Sequence, residues 1–326
     1  MHMQLNAVDK LEVVVLVDNY CDELLEDERI VKRLKLPSPM APMGEPGFSL
    51  LVKVTKDNRS HTILMDTGIS GHCLEHNIKV LASSQAVANG EITANVQDVE
   101  AVVLSHGHSD HFNGLSAFLK LYSGKMPVIV HPFAFIKRRF RHETGHCEPM
   151  RQLTAPGFET YGAVIDKRSE PSTIASDSIL VSGQVQRTTD FEKGAPSLEA
   201  EIDNRWVKDP FYDDQSMAIH VRGKGLVILS GCSHAGIVNS IKHAQQVTGI
   251  NKLHAVLGGF HLPGPDMSTS NATIAEIKKM APDYVIPMHC TGWQTTTLFA
   301  AKMPEQFILN SVGSTYLFGC GDVQSG

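Results

Sequence analysis

The sequence lacks several features that would mark particular classes of protein. Aromatic residues make up only 6% of it and the formal net charge is −6, so no aromatic or basic surface for nucleic acid is expected. No apolar run approaches the roughly 18 residues that a membrane-spanning helix requires. The amino terminus does not join a basic start to an apolar stretch, as a secretory signal does. We therefore expect a soluble, cytoplasmic protein that acts on a small-molecule substrate, with its oligomeric state left open.

Paired cysteines are also missing. The sequence has six cysteines, scattered without paired spacing, at Cys21, Cys73, Cys147, Cys232, Cys290 and Cys320. This distribution favours reduced thiols in the cytoplasm over a disulfide framework. Histidine, in contrast, is abundant with 16 residues, and the positions of these histidines matter more than their number.

The order of apolar segments predicts a layered α/β fold. The β-branched runs at 11–17, 50–55 and 61–65 predict a set of mostly antiparallel strands. Strands then alternate with helices, and this pattern repeats in the second half of the chain. Such an order favours a four-layer αββα sandwich with two sheets inside. Polar clusters follow the carboxyl ends of the predicted strands, where ligand sites in layered α/β proteins gather.

One long segment, residues 133–214, breaks this pattern. It is rich in proline, glycine, serine and charge, and it contains a basic cluster with Arg138, Arg139 and Arg141. We expect a single domain over residues 1–326, in which 133–214 form an insertion or a lid over the site. The arginines could bind a substrate phosphate through bidentate contacts. A solvated helix face is the alternative, and it is the favoured one.

The strongest chemical signal directly follows the predicted strand at 99–104. Three histidines and an aspartate occur there within six residues, at His106, His108, Asp110 and His111. Imidazole and carboxylate groups are ligands for zinc, iron and manganese, and Gly107 allows the backbone to turn. His106 and His108 would bind one ion, and Asp110 and His111 a second one. From these residues alone, a single-metal site stays open.

This segment resembles the His-x-His-x-Asp-His signature of the metallo-β-lactamase superfamily, and the resemblance covers nearly the whole chain. It implies the four-layer fold and two divalent cations, with Zn²⁺ favoured over iron or manganese. Asp66, in Met-Asp-Thr-Gly, would orient a metal-bound histidine from outside the ligand set. His289, in Pro-Met-His-Cys-Thr-Gly, would be a ligand of the second metal.

The sequence departs from the superfamily pattern in Gly-Cys-Ser-His-Ala-Gly at 231–236. In much of the superfamily an aspartate that bridges both metals follows the corresponding strand, whereas Cys232 stands there in this chain. We favour His234 as a ligand, because it completes a histidine-rich set and could replace a mid-chain histidine that is missing. Cys232 is the alternative, either as a thiolate ligand or as a small buried residue.

A further histidine follows a predicted strand in Gly-Gly-Phe-His-Leu. The two glycines suggest a close approach of the backbone to a ligand, so His261 is interpreted as part of the site wall, for substrate contact or proton transfer. A structural histidine is the alternative.

Together with Asp-Asn-Tyr at 18–20, these motifs resemble one subgroup, the 7,8-dihydropterin-6-yl-methyl-4-(β-D-ribofuranosyl)aminobenzene 5′-phosphate synthase-like proteins. The namesake activity joins a dihydropterin methyl diphosphate to an aminobenzene ribosyl phosphate in methanopterin biosynthesis. Within this set of motifs, Asn19 is expected to contact the substrate.

We predict a metal-dependent hydrolase that uses a hydroxide held by the metals on a small, anionic or phosphorylated substrate. His261 or Asp110 would transfer the proton. The alternative is the pterin transferase, in which the metals hold the leaving diphosphate. A non-enzymatic metal-binding or redox-sensing protein, with Cys232 as the responsive group, is least favoured because the ligand set is nearly complete.

Overall fold

The computed structural model describes residues 2–35, 41–122, 124–262, 264 and 267–319. Cys320 lies outside this part of the chain, and the five cysteines within it are free thiols. Across the described residues the strands are, in chain order, β1 Lys10–Val17, β2 Val31–Lys32, β3 Ser49–Lys56, β4 Arg59–Met65, β5 Val99–Val103, β6 Met126–Val130, β7 Arg138–Arg141, β8 Cys147–Pro149, β9 Ala163–Lys167, β10 Ser172–Ile174, β11 Ile179–Val181, β12 Leu198–Ile202, β13 Arg205–Lys208, β14 Ser216–Val221, β15 Gly225–Ser230, β16 Leu253–Gly259, β17 Tyr284–Met288 and β18 Thr315–Gly319.

The helices, over the same described ranges, are α1 Gly71–Ala82, α2 Gln85–Ala88, α3 Ser109–Phe112, α4 Leu115–Leu121, α5 Ala155–Glu159, α6 Ile237–Thr248, α7 Ser268–Met280 and α8 Trp293–Lys302. Short 3-10 turns occur at Val96–Asp98, Pro132–Phe135 and His289–Thr291. Within the part of the chain that the structure describes, no helix is both long enough and apolar enough to span a membrane.

Two sheets form the centre of the molecule. The first has the strand order β2-β18-β1-β3-β4-β5-β6-β9, and the second has the order β10-β11-β14-β15-β16-β17. Their facing surfaces bury one apolar layer, to which Val13 and Val52 of the first sheet and Val227 and Leu257 of the second contribute. Because strands such as β1 and β15 are covered on both faces, nearly all of their residues are apolar, which explains the uninterrupted β-branched runs in the sequence.

Helices cover the outer face of each sheet. Helices α1 and α4 pack on the first sheet through side chains that include Leu74 and Phe118. Helices α6, α7 and α8 pack on the second sheet through Ile241, Ile277 and Phe299. The layers therefore follow the αββα order, and the fold class predicted from the sequence is confirmed.

The segment 133–214, which the sequence predicts to be an insertion or lid, is divided among three sheets. Strand β9 is an edge strand of the first central sheet, and β10 and β11 belong to the second. Only β7, β8, β12 and β13 form a separate sheet, in the order β13-β12-β7-β8. The sequence does not reveal these short edge strands, because they carry too few residues to show a clear alternation of apolar and polar positions. The role of the segment as a lid stays a prediction.

The carboxyl ends of parallel strands meet at one edge of the sandwich. Strands β4 and β5 run parallel in the first sheet, and β15, β16 and β17 run parallel in the second. Asp66, His106, Cys232, His261 and His289 each follow one of these strands within three residues. Polar side chains from both sheets therefore lie at the same edge of the sandwich, as the sequence predicts.

Helix α6 begins at a buried carboxylate. The backbone N–H groups of Val238 and Asn239 donate to Glu192 at 2.8 and 2.9 Å, and the Thr189 hydroxyl donates to it at 3.0 Å. Burial raises the pKa of Glu192, and these hydrogen bonds oppose the rise. The first N–H groups of a helix have no partner within the helix. Glu192 therefore fixes the start of α6, which comes shortly after His234.

Glu192→Ala should destabilise the protein, because it leaves buried N–H groups of the first turn without an acceptor. We expect a loss of about 2 kcal/mol in the free energy of unfolding, measured by denaturant titration. Glu159→Ala, at the exposed end of α5, is the control and should change stability by less than about 0.5 kcal/mol. Equal stability of the Glu192 and Glu159 variants would contradict this role.

Candidate metal centre

Asp66 forms hydrogen bonds with residues at both ends of the histidine-rich loop. Its carboxylate is fully buried, and Oδ2 lies 2.6 Å from His111 Nδ1. Ser105 donates to the same carboxylate from its backbone N at 2.7 Å and from its Oγ at 2.6 Å. The contact with Asp66 makes Nδ1 the protonated nitrogen of His111 and directs Nε2 toward the site. Asp66 therefore orients the ring of His111, and its role toward a bound metal stays a prediction.

Three buried histidines form what we call the first donor group, namely His106, His108 and His234. One ring nitrogen from each lies within 4.8 Å of the others, and His234 Nε2 is 3.1 Å from His108 Nδ1. The ring of Phe211 stacks on that of His234, with centroids 4.3 Å apart and an interplanar angle of 7°. This packing restricts the orientation of the His234 ring.

A second donor group lies beside the first and consists of Asp110, His111, Cys232 and His289. His111 Nε2 is 3.1 Å from Cys232 Sγ and 3.6 Å from Asp110 Oδ2. His289 Nε2 is 3.2 Å from the same Asp110 oxygen. Because Asp110 and His111 follow a strand of the first sheet while Cys232 and His289 follow strands of the second, this group joins the two sheets.

The geometry of both groups fits divalent cations. Two ligands held tetrahedrally by zinc, with Zn–N bonds of about 2.05 Å, lie about 3.3 Å apart, and the closest donor contacts in the two groups range from 3.1 to 3.6 Å. In the first group, His106 Nε2 is buried without a hydrogen-bond partner among the described atoms. A buried polar atom without a partner is costly, and a cation held by this group would provide the missing partner.

Protonation in the two groups differs. Burial lowers the pKa of His106, His108 and His234 well below the ordinary histidine value, so these rings are neutral at pH 7. Burial also acts to lower the pKa of His111, but the charges of Asp110 and Asp66 outweigh it and raise that pKa to about 9. Metal ligands must be deprotonated, so His111 is the imidazole that has to release a proton when a cation binds.

Asp110 is the carboxylate of the second group. Burial favours its neutral form, yet the charge of His111 and the hydrogen bond from His289 outweigh burial and hold the pKa of Asp110 well below its usual range. Its side chain keeps 29% of its surface exposed. Asp110 is therefore ionised and partly accessible from solvent.

Cys232 and His234, which the sequence presents as alternatives, both offer a ligand atom to the site. Cys232 lies in the second group, and it also lies within 4.8 Å of ring nitrogens of His234 and His261. Its Sγ is therefore located between the two groups, at the place where the superfamily pattern has an aspartate. Burial raises the pKa of the Cys232 thiol, so a bound cation would be needed to ionise it at neutral pH.

His261 lies at the wall of the first donor group. Its ring centroid is 4.2 Å from that of His234, and its Nδ1 is buried without a hydrogen-bond partner among the described atoms. Burial acts to lower the pKa of His261, but a hydrogen bond with Cys290 outweighs it and raises that pKa. Cys290 was not predicted as a site residue. Its only signal in the sequence is its position next to His289.

Three glycines at the site allow segments of the chain to pack closely against each other. A Cβ on Gly258 would lie 1.9 Å from Ser230 O, and one on Gly259 would lie 2.8 Å from Cys290 Sγ. The sequence suggests that these glycines approach a ligand, whereas in the structure they pack closely against neighbouring segments of the chain. A Cβ on Gly107 would lie 2.2 Å from Ala134 O, which accounts for glycine between His106 and His108.

The basic cluster forms strand β7, and the prediction of a helix face is wrong. Arg138 is buried between two carboxylates, with Nε 2.6 Å from Asp209 and a terminal nitrogen 2.6 Å from Asp213. Arg139 and Arg141 both pair with Glu199, at 2.6 and 3.1 Å. Because each guanidinium is paired, the cluster does not present the uncompensated anion-binding surface that the sequence suggested.

Two consecutive aspartates hold the loops of the first donor group. Asp213 accepts a hydrogen bond from Gly107 N at 2.8 Å, and Asp214 accepts one from Ala235 N at 2.8 Å. Burial raises the pKa of Asp214 to about 7. Gly107 lies between His106 and His108, and Ala235 follows His234 directly, so Asp213 and Asp214 tie together the two segments that carry this group. The sequence reveals only that they occupy the region of the missing histidine.

Asn19 contacts His289. Its Oδ1 lies 3.2 Å from His289 Nδ1, and its Nδ2 donates to the His289 carbonyl at 3.1 Å. Asp18 accepts a hydrogen bond from His289 N at 2.8 Å. Asn19 therefore orients a histidine of the second donor group, and the substrate contact predicted for it stays a prediction.

Comparison with known sequences agrees with this geometry. Residues 61–150 match the family model described as the beta-lactamase superfamily domain. The chain is 29% identical, over 94% of its length and 96% of the relative, to the 7,8-dihydropterin-6-methyl-4-(beta-D-ribofuranosyl)-aminobenzene-5′-phosphate synthase of Methanocaldococcus jannaschii. It is also 30% identical to an uncharacterized protein of the same organism, over 83% of this chain and 92% of the relative.

Solved structures share the fold. Tm1679, a metal-dependent hydrolase of the beta-lactamase superfamily, has a TM-score of 0.66 at 21% identity, covering 94% of this chain and 98% of that one. Yeast PDE1 has a TM-score of 0.50 at 10% identity, covering 95% of this chain and all of that one. At such identities the likeness shows the fold alone. Taken together, the family-model match, the nearly full-length sequence relatives and the shared fold show that the chain belongs to the metallo-β-lactamase superfamily. Within it, the chain resembles the synthase-like subgroup.

Proposed function

We propose that the protein is a cytoplasmic metal-dependent hydrolase that cleaves a small anionic or phosphorylated substrate. One observation carries the proposal: two adjoining groups of donors have contacts of 3.1 to 3.6 Å that suit one cation each. Zn²⁺ is the preferred cation because imidazole, carboxylate and thiolate donors together suit zinc best, and iron and manganese are the alternatives.

Each donor group has its own assignment. The first cation would be held by His106, His108 and His234, and the second by Asp110, His111 and His289, with Cys232 between them. Two divalent cations bound there would supply Lewis acidity and lower the pKa of a water molecule toward neutrality. Asp66 and Asn19 would keep the rings of His111 and His289 in the orientation that binding requires.

We assign proton transfer to His261 and Asp110. The buried Nδ1 of His261 has no hydrogen-bond partner among the described atoms, so it can hold a proton without breaking an existing contact. Asp110 is ionised, and its side chain is 29% exposed, so it can pass a proton to solvent. Asp110 and His261 each have a ligand atom within 4.8 Å of Cys232 Sγ.

A second function is favoured by the sequence relatives. The chain matches the synthase of M. jannaschii over almost the full length of both proteins. In this alternative the same donor groups would serve a transferase, which joins a dihydropterin methyl group to an aminobenzene ribosyl phosphate and releases diphosphate. The residues that hold the cations are the same in both proposals.

His106→Ala and His111→Ala should each reduce the bound metal, from about two equivalents to about one, because each removes a donor from a different group. Hydrolysis of a phosphodiester such as bis(4-nitrophenyl) phosphate should fall by about 100-fold or more. Elemental analysis of the purified proteins and the rate of nitrophenol release test this. His72→Ala, at an exposed position of α1, is the control. Full metal content in both site variants would rule the centre out.

Asp66→Asn keeps the shape of the side chain but removes the charge that faces the Nδ1–H of His111. We expect metal affinity to fall by about 10- to 100-fold, as for other partners of metal-bound histidines. Competition with a chromophoric chelator measures this change. Asp98→Asn, on an exposed side chain, should leave the affinity unaltered. An unchanged affinity in Asp66→Asn would mean that this carboxylate does not tune the centre.

The two proposed functions predict different dependence on an amine. The metal-loaded protein is incubated with a dihydropterin-6-ylmethyl diphosphate, with and without 4-(β-D-ribofuranosyl)aminobenzene 5′-phosphate, and the released diphosphate is quantified. A hydrolase should not require the amine for turnover of its substrates. Diphosphate release that appears only with the amine, together with the coupled product in a mass spectrum, would replace the hydrolase by the transferase.

A further inference from the structure

A groove beside the second donor group presents an exposed tryptophan. Trp293 is the first residue of α8, and 68% of its surface is exposed. Tyr20 is 37% exposed and lines the same groove, together with Met288, His289 and Leu309. Large aromatic side chains normally bury most of their surface. Two exposed rings beside a ligand-binding centre therefore indicate a surface that a ligand covers.

Local contacts hold Trp293 and Tyr20 in the groove that His289 also lines. Trp293 follows Gly292, which ends the 3-10 turn His289–Thr291 and has a φ of 80°. The Tyr20 hydroxyl donates to Asp22 at 2.7 Å, and the Tyr20 carbonyl accepts from Val312 N at 2.9 Å. A flat group stacked on these rings would therefore lie next to His289.

The other tryptophan provides a contrast. Trp206 is half-buried, and the guanidinium carbon of Arg139 lies 4.3 Å from the centroid of its ring. A cation–π contact thus covers one face of Trp206 within the folded chain. Trp293 keeps most of its surface exposed instead, which singles it out as the tryptophan available to a ligand.

The charge of the groove defines the kind of group that it can hold. Its described lining includes the neutral polar side chains Asn19, Thr296 and Asn310, together with the buried Asp18, and contains no lysine or arginine. An anionic group in the groove would lack a counter-charge, whereas an uncharged ring would gain stacking and apolar contact. The anionic part of a substrate would be expected at the metal centre instead.

We propose that this groove binds an uncharged aromatic or heteroaromatic ring of the substrate, stacked on Trp293 and Tyr20, while the anionic group of the same molecule extends toward His289 and the metal centre. The proposal rests on the proposed function for the position of the anionic group. The residues that contact the ring are separate from the donor groups.

Two single-tryptophan variants test the stacking directly. Trp206→Phe leaves Trp293 as the only tryptophan, and Trp293→Phe leaves Trp206. The probe is 4-nitrobenzylphosphonate, which joins an anionic phosphonate to an uncharged nitroaromatic ring that quenches indole emission on contact. Quenching should saturate in Trp206→Phe, whereas Trp293→Phe should show only weak quenching that increases linearly with probe concentration.

Calorimetry measures how much the ring contributes to binding. Cyclohexylmethylphosphonate carries the same anionic group on a saturated ring, and we expect it to bind about tenfold more weakly than the aromatic probe. Trp293→Leu should weaken the aromatic probe by about tenfold and change the saturated one by less than about twofold, while Trp293→Phe should retain most of the affinity. Tyr161→Leu, an exposed aromatic residue elsewhere, is the control.

Equal affinity for the two phosphonates, or quenching of Trp206→Phe that does not saturate, would overturn the proposal. Elemental analysis of the same samples separates this failure from failure of the proposed function. Metal-loaded protein that does not distinguish the two rings counts against the groove alone. Protein without metal that still binds the aromatic probe preferentially and through Trp293 would support the groove and reject the metal centre.

Discussion

The buried carboxylate of Asp66 is the contact on which the rest of the site depends. It accepts from Ser105 N at 2.7 Å and from Ser105 Oγ at 2.6 Å, and it lies 2.6 Å from His111 Nδ1. These contacts connect the end of β4 to both ends of the histidine-rich loop. Asp18, Asp213 and Asp214 repeat the arrangement, since each accepts from a backbone N–H within or beside a donor segment. Buried carboxylates, which need such donors to offset desolvation, therefore set the positions of the side chains in the two donor groups.

Backbone strain is concentrated where these contacts hold the chain. Left-handed φ values occur at five residues of the site that are not glycine, namely Asp66 (58°), Phe211 (52°), Ser233 (57°), His261 (39°) and His289 (47°). Such conformations are costly for side chains with a Cβ and persist only where the surroundings enforce them. The apolar layers on both faces of the two sheets provide that enforcement, because strands fixed on both faces leave their terminal residues little freedom.

The sequence predicts the layers and most of the site because both depend on local patterns. The runs at β1, β3 and β4 are long and apolar, and His106, His108, Asp110 and His111 are close together in the chain. Helices α1 and α8 are missed because their residues include poor helix formers, such as Gly71 and the threonines at 295–297, and tertiary packing stabilises them instead. The partners of Arg138, and the position of Cys232 between the two donor groups, depend on contacts between distant segments, which no local pattern records.

The distribution of charge links the candidate metal centre to the anionic substrate that we propose. All three arginines of the basic cluster are paired with carboxylates, so they leave little positive charge for a ligand. The second donor group contains one carboxylate and one thiol that a cation would ionise, and together they can balance a divalent charge. The first group consists of three histidines that are neutral at pH 7, so a divalent cation bound there would keep an excess positive charge in a buried, weakly screened setting. The attraction for a substrate anion would then come from the first group, and the uncharged groove at Trp293 would be left to distinguish one anionic substrate from another by its ring.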